Sequence, residues 1–233
     1  MANEAIQHAR TESVDLAAED TMNVRWSDRV LIVLGVFWAI TVATGFLLLW
    51  RYQMTAGAPG NPTTRWPASN PLLPPQGRTQ LILAAHPPCA CTRASIESLA
   101  RIMARARGGA VATVPFLKPW GMPDGWEHAD VGRSATANPG VRAVGDEDGG
   151  ESSRFGLETS GHTLSFDREG RLSFSGGITD GRGHHGDNAG MDNWIALITG
   201  ARADSRNATV FGCPLHAQST FRVAEDKMCR TTR

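Results

Sequence analysis

From Val30 to Trp50 the chain reads VLIVLGVFWAITVATGFLLLW, 21 residues without a charge. As a helix, a run of that length covers a hydrocarbon core of roughly 30 Å. A core helix of a globular domain keeps a polar side for water, and this one has none. Arg29 and Arg51 bracket the run, Trp38 lies inside it, and Trp50 stands at the border, where an amphipathic ring is comfortable. A cleaved signal peptide has a shorter apolar region, roughly 7–15 residues, and a shorter charged leader than this one. The expectation is an uncleaved single-pass anchor over 29–51. Arg25 and Arg29 on one side are matched by Arg51 and Arg65 on the other, so flanking charge does not orient it. An inside N-terminus, with the C-terminal part in the periplasm of a cell with an inner membrane, is expected because paired thiols belong in an oxidising compartment.

The anchor divides the remaining chain. Residues 1–28 carry an acidic excess and few large apolar groups, which reads as a disordered leader. Residues 52–77 hold six prolines and read as an extended linker whose Trp66, Leu72 and Leu73 are positioned to dock on a folded domain. Residues 78–215 form that domain, and 216–233 a polar tail. The chain has 23 basic and 23 acidic residues and no basic stripe, which argues against nucleic acid as a partner. The Asn-X-Thr tripeptide at Asn207 arises often by chance.

Within the domain, apolar periodicity switches between two kinds of element. TQLILAA reads as a strand and Thr92–Arg107 as a helix with Ile96, Leu99 and Met103 on one face. Glu97 stands four residues before Arg101, and Gly108 follows the last turn. GAVATVPFL is a second strand, so the first 40 or so residues form a parallel β-α-β unit. A Trp- and Pro-rich loop, a short helix near 127–137 and a strand VRAV follow. Asp146, Glu147 and Asp148 read as a solvated turn, lacking the loop length and terminal Glu of a calcium-binding EF-hand, and a short helix follows them. HTLSFD-REG-RLSFSG has the alternation of a hairpin, and NAGMDNWIALITG that of a closing helix capped by Asn188.

A β-α-β unit, an antiparallel hairpin and a closing helix are the elements of an α/β thioredoxin-like fold, a central mixed sheet flanked by helices. The segments HPPCACTRAS, DEDGGESSRFGLETSGHTLSFDREGRLSFSGGIT, RGHHGDNAG and VFGCPL resemble those of RedB-type bacterial membrane-anchored thioredoxin-like proteins, distantly similar to TlpA-type thiol-disulfide proteins. The resemblance spans about residues 66–215. It implies thiol-disulfide chemistry with protein thiols or disulfides as partners. Two departures stand out: the cysteines are spaced C-x-C rather than C-x-x-C, and Gly161 occupies the place where those proteins carry a cis-proline.

Cys89 and Cys91 stand where the first strand gives way to the first helix. Unpaired N–H groups and the positive end of the helix dipole favour thiolate there, and Arg93 is placed to add to that field. Cys89 is the expected attacking sulfur and Cys91 the resolving one. A C-x-C disulfide ring is strained, hence oxidising. The alternative is copper or zinc held by Cys89, Cys91 and His86, with His184, His185 and Cys213 as further ligands. A peroxidase of peroxiredoxin type lacks its Pro-x-x-x-Thr context. GRGHHG at 181–186 matches G-x-G-x-x-G but opens the last helix with no β-α-β unit after it, so no dinucleotide is expected. Its glycines suit a tight loop that sets His184 or His185 beside the thiols, while His162 reads as a structural strand residue. Cys213 is a third redox partner, a ligand or a packed residue, and Cys229 in the tail has no expected role.

Overall fold

The computed structural model describes residues 2–68, 70, 72, 77–87, 89–128 and 130–215, with the side chains of 2–25 and 128 left aside. Leu73, the tail 216–233 and its Cys229 lie outside these residues. Two compact units are present, Met1–Arg51 and Tyr52–Arg233.

The first unit lies in one helix, α1 (Ala2–Gln53). Its segment from Trp26 to Gln53 is long and apolar enough to cross a membrane, and its side chains are exposed. Helix also runs through residues 2–28, where composition suggests disorder. No Pro or Gly stands between Ala2 and Leu34, so a helix nucleated in the apolar run meets no breaker as it extends toward the N-terminus.

The second unit is built on β1 (Thr79–Leu83), α2 (Ala90–Ala106), β2 (Ala110–Lys118), α3 (Asp130–Thr136), β3 (Val141–Glu147), α4 (Gly150–Arg154), β4 (His162–Phe166), β5 (Leu172–Gly177) and α5 (Ala189–Thr199). Five strands form one sheet in the order β3-β2-β1-β4-β5. β1 pairs with β2 and β2 with β3 in parallel, whereas β4 runs antiparallel to both β1 and β5. That order and those directions make the fold thioredoxin-like, with β3 added outside the β-α-β unit.

Two apolar clusters cover the faces of the sheet. Leu81 and Leu83 of β1 pack with Ile96, Leu99 and Ile102 of α2 and with Met191 and Trp194 of α5. Ile82 and Ala84 pack on the other side with Leu117, Phe155, Leu164 and Phe166. β1 is therefore buried on both faces, which is why it reads as an uninterrupted apolar run rather than an alternating one. Asn188 caps α5 as the sequence predicts, its Oδ1 accepting from the Met191 N–H at 2.9 Å.

Residues 56–66 are extended, as their prolines require, and bonded along the domain. Gly57 N–H donates to Val210 O, Asn61 N–H to Gly156 O, and Trp66 N–H to Gly170 O. The Trp66 ring meets Phe155 and Phe166 edge-on at 5.0 and 5.3 Å, and Leu72 is buried. The linker thus serves as a strap over the second core.

Asp146 differs from the solvated turn expected of it. It is fully buried, and its carboxylate accepts from the Glu151 N–H (2.7 Å), the Ser152 N–H (3.1 Å) and the Ser152 hydroxyl (2.5 Å) at the start of α4. A short polar residue before a helix is the usual device for satisfying first-turn N–H groups, and composition alone does not separate it from a solvated turn. Asp146→Ala leaves those donors buried and unpaired, so urea unfolding should show a loss of about 2–3 kcal/mol.

His162 is the buried histidine of β4, its Nε2 2.9 Å from Ser175 Oγ. Burial lowers its pKa to about 4, below the unfolded value near 6.5. The unfolded chain therefore binds the extra proton first, and stability should fall as pH drops from about 6.5 to about 4, then level off. Urea midpoints across that range, with His162→Gln removing part of the slope, check the assignment.

Candidate functional site

After β1 the backbone turns through His86 and Pro87, and the Cys89 N–H closes the turn on His86 O at 3.0 Å. The His86 N–H donates to Thr92 Oγ1 at 3.0 Å, tying the turn to the first turn of α2. Cys89 is the N-cap of α2, in extended conformation, and Cys91 lies one residue inside the helix. Both are buried, Cys89 at 7% and Cys91 at 4% exposure.

A third sulfur arrives from the far end of the chain. Beyond α5 the backbone runs beside β5, with Ala208 N–H donating to Ser175 O, and then passes antiparallel to the segment preceding β4. Ser160 clamps it there: Ser160 N–H donates to Cys213 O (2.9 Å), and Cys213 N–H donates to Ser160 Oγ (3.1 Å). Gly212 is required by this approach, because a Cβ there would lie 1.8 Å from Ser160 O. The result is a Cys89 Sγ to Cys213 Sγ distance of 3.2 Å, with Ser160 Oγ 3.7 Å from Cys89 Sγ. All three sulfurs of Cys89, Cys91 and Cys213 lie within 4.8 Å of one another, and all three are free thiols. Cys213 is the most open of them.

The three share one negative charge unequally. Cys89 is held well below the ordinary thiol range, chiefly by the hydrogen bond from Cys91, helped by His86, Cys213 and the Thr92 amide, and opposed by burial. Cys91 is pushed up because its proton serves Cys89 and because it is buried near that charge. Burial, then its bond to Cys89, raises Cys213 to about 11, while the positive charge of Arg182 acts in the opposite direction. The centre is thus one thiolate served by two thiols, titrating as a unit.

His86 of the predicted residues takes part, lying against Cys89, and its Nδ1 is buried without a hydrogen-bond partner. Arg93 is exposed on α2 and is not among the groups acting on Cys89. The 181–186 loop does reach the sulfurs, but through the Gly183 backbone at Cys91 and the Arg182 charge at Cys213. Its histidines engage other partners: His185 Nδ1 meets Glu97 Oε2 at 2.6 Å, and His184 Nε2 meets Gln53 Oε1 at 3.4 Å. Sequence reasoning missed Ser160 and Arg182, which lie inside the quoted segments but stand out by neither residue type nor spacing. Gly161, at the cis-proline place, has φ +81°, and there is no cis peptide among the described residues.

No protein-family model and no curated protein matches the chain. Solved structures do show likeness. A hypothetical protein, SMc02350, from Sinorhizobium meliloti 1021 is 17% identical, with a TM-score of 0.48 over 60% of this chain and 80% of that one. A secreted Mycobacterium tuberculosis disulfide oxidoreductase homologous to E. coli DsbE is 14% identical, with a TM-score of 0.39 over 54% of this chain and 83% of its own. Bradyrhizobium japonicum ScoI, solved with copper bound, is 12% identical, with a TM-score of 0.34 over 55% and 87%. All three are distant likenesses, and the fold is defined by the strand order itself.

Ultraviolet thiolate absorbance checks the charge assignment. In a chain carrying Cys229→Ser, one thiolate per molecule should persist from about pH 8 down to about pH 5, where an ordinary thiol near 8.5 is protonated. Adding Cys89→Ser should abolish it.

Proposed function

We propose that the protein is a membrane-anchored thiol-disulfide oxidoreductase whose centre is Cys89, Cys91 and Cys213, and whose domain works on the non-cytoplasmic side. The observation that carries this reading is the 3.2 Å contact between Cys89 Sγ, whose surroundings lower its pKa, and the sulfur of Cys213, the less buried residue. α1 supplies the anchor, and an oxidising compartment is where such a pair would be kept in use. The partners are protein or small-molecule thiols and disulfides.

Exchange at such a centre runs through Cys213, the accessible sulfur, with Cys89 as its internal partner. In the oxidised state, with Cys89 and Cys213 joined, a substrate thiolate attacks Cys213 Sγ, the S–S bond breaks, and Cys89 leaves as thiolate. A leaving sulfur of low pKa departs faster. A second substrate thiolate then attacks the first substrate's sulfur, forming the substrate disulfide and releasing Cys213, which takes up a proton. Stabilisation of the reduced form by the bonds to Cys89 makes the disulfide oxidising, so disulfide donation is the favoured direction. Cys91, expected as the resolving residue, serves here as hydrogen-bond donor to Cys89 and as an alternative disulfide partner. This assignment moves the substrate contact from Cys89, favoured by its place before the helix, to Cys213, favoured by exposure.

A second reading has its own support. Three soft sulfurs within 4.8 Å suit Cu(I), which accepts a thiolate-only set. Zinc in a structural site takes four ligands, and His86 is the nearest further candidate. Cys89, Cys91 and Cys213 would hold the ion; of the further ligands expected from sequence, Cys213 is the one that joins the pair, while His184 and His185 meet Gln53 and Glu97.

Titration of the full-length protein in dithiothreitol redox buffers, with thiol trapping and mass spectrometry, separates the two. The exchange reading expects a reversible two-electron step involving Cys89, at a potential above about −300 mV. Thiols that stay reduced throughout, together with tight one-to-one Cu(I) binding against a competing chelator, would overturn it in favour of the metal.

A further inference from the structure

A cavity of about 500 Å³ lies on the segment that carries Cys213. Gly212 and Pro214, the residues on either side of that cysteine, form part of its wall. The 56–58 segment of the strap, Thr159, Glu158 and Arg182 complete it. Volume of this order holds a small organic molecule rather than a protein side.

Two opposite charges border the cavity. The Arg182 guanidinium rests over the Tyr52 ring, 5.1 Å from its centroid, and its buried Nε has no hydrogen-bond partner among the described residues. Arg182 borders the cavity, and a guanidinium carries five donors and no acceptor, so its cavity side is a place for a carboxylate. Glu158 is exposed at the same cavity and has no ion-pair partner among the described residues. It is placed for an ammonium group. Neither charge is needed to build the three-sulfur cluster, whose geometry is set by α2, Ser160 and Gly212.

The geometry points to a binding site for a small zwitterionic, amino-acid-derived thiol of the cysteine or glutathione class, its carboxylate on Arg182, its ammonium on Glu158 and its sulfur on Cys213. This deepens the exchange reading above and rests on it. Two such thiols, RSH, are oxidised to RSSR while the Cys89–Cys213 disulfide is reduced. Of their two protons, one stays on Cys213 and one is released, and Cys89 remains the thiolate. The bonds broken are Cys89–Cys213 and then the mixed Cys213–S–S–R link.

The test follows reduction of the oxidised full-length protein in detergent by glutathione and by 2-mercaptoethanol, rates being expressed per thiolate present. Glutathione should react about tenfold faster or more, the size expected of one or two charge-assisted contacts. Glu158→Gln should lower the glutathione rate and leave the 2-mercaptoethanol rate within about twofold, while Arg182→Gln, which also removes a charge acting on Cys213, should lower the glutathione rate by the larger factor. In a Cys89→Ser, Cys91→Ser chain, glutathione disulfide should load Cys213 as a mixed disulfide detectable by mass spectrometry. Equal rates for the two thiols, or equal slowing of both by Glu158→Gln, would overturn the site while leaving the exchange reading standing. A disulfide that neither thiol reduces would overturn both.

Discussion

A charged sulfur can be buried only where donors surround it, and every other feature of this centre follows from how Cys89 meets that requirement. The Cys91 thiol, the His86 ring, the Cys213 thiol and the Thr92 amide converge on one atom. They come from three separate constraints of the fold. Cys91 and Thr92 are fixed by the start of α2, His86 by the turn leaving β1, and Cys213 by a segment that follows the last helix. Desolvation alone would drive the proton back onto Cys89. Four groups acting together reverse that outcome.

The thioredoxin-like sheet supplies the frame. β1 is buried on both faces, so its end has little freedom, and the turn it feeds is held in place by bonds to α2. Just before the neighbouring strand β4, Gly161 donates its N–H to Ala84 O at 2.7 Å, fixing Ser160 beside the sulfurs. In place of a cis-proline, this position has a glycine with positive φ and a serine whose N–H and Oγ both bond the incoming Cys213 backbone. Ser160 thus anchors the segment that brings a third sulfur to Cys89 from outside the C-x-C pair.

Much of this architecture was legible in the sequence, because its elements are set locally. The β-α-β unit, the hairpin and α5 with its Asn188 cap lie where periodicity and capping place them. Features governed by distant contacts were not legible. Asp146 looks like any acidic turn residue until Ser152 and Glu151 are folded against it. The proline-rich stretch reads as extended, but the bonds that lay it along the domain depend on residues roughly 90–150 positions away. The cluster shows the same division: Cys89 and Cys91 stand out by spacing, whereas Cys213 joins them across 124 residues through Ser160, whose importance no local pattern signals. The histidines of the 181–186 loop failed for the opposite reason, since their number and position suggested a ligand set while Glu97 and Gln53 hold them elsewhere.

The central claim is that Cys89 is the sulfur common to every redox state of the centre. Its most direct test is disulfide mapping by mass spectrometry after mild oxidation of the full-length protein and acid quenching, with Cys229→Ser to remove the tail thiol. Intramolecular disulfides should contain Cys89, predominantly as Cys89–Cys213 and secondarily as Cys89–Cys91. A dominant Cys91–Cys213 disulfide, or Cys89 recovered as a free thiol after oxidation, would contradict it.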